Sequence, residues 1–114
     1  MQETNVAEVV RRFYAAFFDK DRPAAAALLS EGFTFSSPRD DHIDQAQYFE
    51  RCWPNSDRLD DFSEEKLSVL GDEVFLRYTA RRIADGISFR NVENIRVEAG
   101  KIAQVDVYFG RDIA

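Results

Sequence analysis

Three turn signals, Gly71-Asp72, Asp85-Gly86 and Gly100-Lys101, recur about 14 residues apart in the second half of this 114-residue chain. The runs between them are rich in Val, Ile, Phe, Tyr and Thr. That punctuation predicts four consecutive antiparallel strands from about Leu59 onward, joined as a meander. The runs are longer than the usual strand of ~5–6 residues, so the sheet is expected to twist, curl and carry bulges.

Register turns the meander into a map of faces. A two-residue turn at Gly71-Asp72 pairs Leu70 with Glu73, Val69 with Val74 and Leu67 with Leu76. A two-residue turn at Asp85-Gly86 pairs Ala84 with Ile87, Ala80 with Asn91, Tyr78 with Glu93 and Leu76 with Ile95. Both place Leu67, Val69, Val74, Leu76, Tyr78, Ala80, Phe89, Asn91, Glu93, Ile95 and Val97 on one face. A one-residue slip would destroy that agreement. Val105, Val107 and Phe109 join the same face if the last turn is longer than two residues or a bulge intervenes, and burial of carbon favours that arrangement. The other face mixes Phe75 and Val92 with Arg77, Arg81, Arg90 and Arg96, as a solvent face or a subunit interface would.

The first half reads as helices. Val6, Val9, Val10, Phe13, Tyr14 and Phe17 make one face of an amphipathic helix that ends near Asp19, with Asn5 and Glu8 as a capping pair. A second helix follows, with Asp21 as cap, Pro23 in its first turn and Gly32 just past its end. Phe33–Ser37 alternates as a short strand that stops at Pro38. A third helix is expected from Ile43 to Cys52, capped by Asp41, with Asp44 in its first turn and Trp53-Pro54 ending it. Three helices in the hollow of a curled sheet make one α+β domain over residues 1–114.

Fifteen Lys and Arg against 21 Asp and Glu give a net charge of −6, which argues against nucleic acid. A charged start without a long apolar run, no membrane-spanning stretch and a lone Cys52 fit a cytoplasmic protein. No His or Cys spacing suits a metal, and no P-loop, Rossmann fingerprint or serine elbow is present, so neither metal nor other cofactor is expected.

Glu93, Tyr78 and Asn91 are polar groups on an otherwise apolar face. They read as a pocket, with Glu93 as general base or acceptor, or as a structural hydrogen-bond network. Tyr14 can aim its hydroxyl into the same cavity as an oxyanion donor, or serve as a core ring. Phe89 lines that face, Trp53 is a further ligand-binding candidate, and Cys52 next to it can line the cavity mouth or serve as a small buried hydrophobe. His42, next to Asp40 and Asp41, is a candidate acid–base group, although its loop is first a helix start.

The order of elements and three stretches resemble the NTF2-like superfamily, in particular its SnoaL-like branch. The stretches are FYAAFFDKDRPAAAALLSEGFTF, SPRDDHIDQAQYFERCWP and FRNVENIRVEAGKIAQVDVYFG. The resemblance covers nearly the whole chain. It implies a cone-shaped, strongly curved, mostly antiparallel sheet around a deep pocket, and a homodimer formed through the sheet's outer face. It also implies a small apolar ligand and, where members are enzymes, isomerase, cyclase, dehydratase or epoxide-hydrolase chemistry. Tyr14 falls near the isomerases' oxyanion-donor tyrosine, but Ser37 stands before Pro38 where they carry a general-base aspartate. The epoxide hydrolases' Arg, Asp and last-strand Asp look like Tyr78, Ala80 and Val107. Neither catalytic set is intact, so an enzyme, a non-catalytic ligand-binding module and a module that serves only to dimerise all stay open.

Overall fold

The computed structural model describes residues 5–113; the charged start at residues 1–4 lies outside them. Helix α1 (Val6–Phe18) is capped by Asn5, whose side chain accepts from the Glu8 amide at 3.1 Å. It buries Val9, Val10, Phe13 and Tyr14, as its stripe requires. Helix α2 (Arg22–Ala27) is capped by Asp21 and carries Pro23 in its first turn. It stops well before Gly32, because strand β1 (Leu29–Ser37) has already begun. There the Ile102 amide donates to Leu28 O at 2.7 Å, and the Lys101 ammonium donates to Ala27 O at the end of α2.

The loop around His42 departs most from expectation. Asp40–Ile43 is a short strand, β2, folded back on β1 with Phe35 opposite Ile43 and Ser37 opposite Asp40. Asp41 therefore caps nothing. Helix α3 (Gln45–Arg51) is capped by Asp44, in a capping box with Gln47. A 3-10 helix, Trp53–Asp57, follows it.

Strands β3 (Leu59–Leu70), β4 (Glu73–Arg82), β5 (Ser88–Glu98) and β6 (Lys101–Ile113) form the meander. The open sheet runs β2-β1-β6-β5-β4-β3, with β1 parallel to β6 and the other pairs antiparallel. The pairing at Gly71-Asp72 is as expected. At Asp85-Gly86 it is displaced by two residues: Ala80 faces Phe89, Tyr78 faces Asn91 and Leu76 faces Glu93. The loop there closes between Arg82 and Ile87, with the Asp85 carboxylate accepting from the Ile87 amide at 3.0 Å. An even displacement preserves the faces, so the inward set survives.

On β6 the turn is Ala99-Gly100, both at positive φ, between Glu98 and Lys101. A bulge beside Arg96 and Val97 then restores Val105 and Val107 to the inner face. Bulges also interrupt β3 twice and β5–β6 a second time, which curves the sheet around the helices. Val10, Phe33, Val74, Leu76, Ile95, Ile102 and Val105 form the fully buried centre. Each such side chain contributes about 1.5–3 kcal/mol relative to exposure. Val69, expected inside, remains 49% exposed at the hairpin tip of an edge strand.

Candidate functional site

The cone encloses a cavity of about 520 Å³, the size of a small-ligand site. Strand alternation aims Tyr78, Asn91, Glu93 and Val107 into it, and the buried stripe of α1 supplies Phe13 and Tyr14. Glu93 is only 6% exposed and Asn91 8%. Both carboxylate oxygens of Glu93 are engaged: Oε1 by the Tyr14 hydroxyl and Oε2 by the Tyr78 hydroxyl at 2.6 Å. No lysine or arginine among the described residues pairs with it.

The directions of these bonds follow from one backbone group. The Gly110 amide can only donate, and it meets Asn91 Oδ1 at 3.2 Å. Asn91 must then present Nδ2 to Tyr78 Oη at 3.3 Å, so the Tyr78 hydrogen points to Glu93. Burial raises the Glu93 carboxyl above its ordinary range, and the two phenols pull partly the other way. Burial, followed by the neighbouring Glu93, pushes Tyr14, Tyr78 and Tyr48 well above the ordinary phenol. The rings are held by aromatic packing: Phe62 stacks on Tyr14 at 6.0 Å and lies 5.2 Å from Tyr78.

Of the residues singled out in the sequence, Glu93, Tyr14, Tyr78, Asn91, Ser37, Phe89 and Val107 line this cavity. His42, Asp41 and Trp53 do not. The His42 ring, 60% exposed, pairs with Asp41 on the edge strand at 2.7 Å, and the β2 pairing carries both away from the cone. Trp53 packs edge-on against Phe17 and tilted against Phe49. Cys52 does reach the lining; burial and nearby Asp40 push its thiol up to about 11, so it is a poor nucleophile.

Several lining residues escaped sequence reasoning. Tyr48 on α3 is buried among Phe13, Phe33 and Phe35, and no described residue takes its hydroxyl in a hydrogen bond. Its signal is the apolar pair Tyr48-Phe49 in a helix that starts at Gln45 rather than at the expected Ile43. Arg39, Arg51, Arg58 and Arg82 also line the cavity, contributed by turns and element ends that carry no periodicity.

A family model described as the SnoaL-like domain matches residues 10–105. No curated protein matches the chain. Among solved structures it is similar to an NTF2-like protein of unknown function from Cytophaga hutchinsonii, at 23% identity, covering 95% of this chain and 92% of that one, with a TM-score of 0.76. A Kribbella flavida protein provisionally named a ketosteroid isomerase aligns at 14% identity over 96% of this chain and 80% of its own, TM-score 0.77. A de novo designed protein with a curved β-sheet aligns at 14% identity over 96% and 88%, TM-score 0.80. At such identities the likeness is one of fold alone, and the designed protein underlines that a cone of this shape does not imply a chemistry.

Proposed function

The chain belongs to the SnoaL-like domain family, and from that premise we propose that its cone binds a small, mostly apolar molecule and transfers a proton on it, with Glu93 as the base. The observation that carries this reading is a buried carboxylate held by two phenols, and by no cation, at the base of an aromatic cavity. Such a group gains basicity from desolvation and needs no metal. Glu93 takes a proton from carbon next to a ligand carbonyl. Tyr14, released from Oε1, turns its hydroxyl to the oxygen that becomes negative, while Tyr78, itself held by Asn91, keeps the carboxylate in place. Return of the proton elsewhere on the ligand gives isomerisation; loss of hydroxide or ring closure gives dehydration or cyclisation.

A second reading, a binding module without chemistry, is favoured by one detail. Both Glu93 oxygens are already taken, so the carboxylate must give up a bond to act. Proton-for-deuterium exchange beside the carbonyl of 2-tetralone, followed by NMR in D2O, separates the two. Wild-type protein is expected to accelerate exchange, and Glu93→Gln to lose about 100-fold or more of it. Binding of 2-tetralone without acceleration assigns the module; equal acceleration by Glu93→Gln removes Glu93 as base. The reading also includes a homodimer through the outer sheet face, supported by exposed Phe75, Val92 and Tyr108, which sedimentation velocity tests.

A further inference from the structure

The chain is acidic overall, yet the opening of its cavity is rich in arginine. Arg39, Arg51, Arg58 and Arg82 are contributed by different turns and element ends and line one cavity. Two are occupied: Arg51 holds Asp40 at 3.2 Å, and Arg82 holds Asp112 through two bonds of 3.0 Å. Arg39 and Arg58 pair with no carboxylate among the described residues. Arg22 and Arg111 also hold none there, but they lie outside the cavity lining; Arg11, Arg12, Arg77, Arg81, Arg90 and Arg96 each hold one. Arg39 stands 5.9 Å over the Phe109 ring. Arg58 donates to Asn55 Oδ1 at 3.1 Å, which leaves most of its N–H groups free.

The cavity therefore has three zones. Its buried end offers a carboxylate and phenols, its walls are apolar rings, and its exposed opening offers two uncommitted guanidinium groups. An anion at the buried end would face Glu93 in a medium of low dielectric, which is strongly unfavourable. At the opening the same anion finds planar donors suited to carboxylate. Resting on the reading of the cone as a ligand site, we propose that the ligand is a small aromatic or alicyclic carboxylic acid. Its carboxylate lies against Arg39 and Arg58, and a neutral carbonyl or hydroxyl oxygen at its other end meets Glu93, Tyr14 and Tyr78.

The test uses 6-hydroxy-2-naphthoate and its methyl ester, which share ring and hydroxyl and differ in charge. Titrated by calorimetry into the full chain at low ionic strength, the acid binds about tenfold more tightly than the ester, the worth of one charge-assisted hydrogen bond. The double variant Arg39→Gln/Arg58→Gln loses that preference and keeps the ester's affinity. Both positions are exposed, and circular dichroism checks that the variant is folded. Raised salt narrows the gap in the wild type. Equal binding of acid and ester, or a preference that survives the double variant, overturns the acid assignment and leaves the cavity reading standing. Binding of neither probe overturns both.

Discussion

The two faces of one sheet treat a carboxylate in opposite ways. Inside, Glu93 has phenols for partners, and burial raises its pKa. Outside, Glu65 accepts from Arg90 at 2.6 and 2.8 Å and from Arg77 at 3.1 Å; the Arg90 bond foremost holds its carboxyl below the usual range. The partners are chain neighbours: Arg77 precedes Tyr78, and Arg90 precedes Asn91. Glu65 itself is the unpaired residue of a bulge between Glu64 and Lys66. Strand alternation thus decides which neighbour meets water, and access to water decides whether a carboxylate is best held by a cation or by neutral donors.

Gly110 is where the two faces touch, and it carries the largest expected effect. A Cβ there would lie 1.9 Å from the Arg90 carbonyl oxygen, which is backbone and cannot swing away. The Gly110 amide also orients Asn91. Gly110→Ala is expected to cost about 3 kcal/mol in urea unfolding, at the upper end for overpacking. A cost near zero would mean that β5 and β6 approach less closely than described. Next comes Tyr78→Phe, which removes a donor to Glu93 and the acceptor of Asn91. Leaving those groups unsatisfied is expected to cost about 2 kcal/mol. A neutral result would detach Tyr78 from the inner network.

The inner face was legible in the sequence for a reason that also explains its errors. Pleating has period two, so misplacing the Asp85-Gly86 loop by two residues exchanged partners yet kept Tyr78, Asn91 and Glu93 on one side. The inward return of Val105 and Val107 follows from burial of carbon, since the alternative buries Gln104 and Asp106, but the sequence leaves open whether a longer turn or a bulge brings it about. Helix ends lack such redundancy. Asp41 and Asp44 are equally good caps by composition, and only the pairing of Ile43 with Phe35 decides between them. The parallel contact of β1 with β6, which shortens α2, is a long-range event with no local trace. The arginine rim is illegible for the same reason: turns far apart in sequence assemble it.

Acid–base titration sharpens the contrast through its sign. Glu93 keeps its proton in the folded chain to higher pH than in the unfolded chain, where it leaves near ~4.3. Above that point the folded state binds more protons than the unfolded state, so stability falls as pH rises through the folded pKa. Glu93→Gln removes that fall, and its stability relative to wild type should climb from pH 4 to pH 8. Glu65 runs the other way. Its folded pKa is depressed, so its contribution is present above the ordinary carboxylate range and fades as pH drops through the folded value. Glu65→Gln should therefore be most costly at neutral pH and nearly silent in acid. Parallel slopes in urea unfolding of the two variants would erase the distinction between the faces.

Salt gives the smallest effect and asks what covers the outer face. At 1 M ionic strength the screening length is about 3 Å, which weakens an ion pair in water and leaves a buried hydrogen bond alone. The cost of Glu65→Gln should shrink at 1 M NaCl, while that of Tyr78→Phe stays as it was. A Glu65→Gln cost that does not respond to salt would carry a different lesson: the ladder of Arg77, Arg90 and Glu65 would then be shielded from solvent. The proposed second copy of the chain is the cover that fits, because Phe75, Val92 and Tyr108 lie on that same face and stand exposed. Diluting the protein until such a dimer parts should then restore the salt response, and its failure to return would leave the ladder's shielding to this chain's own fold.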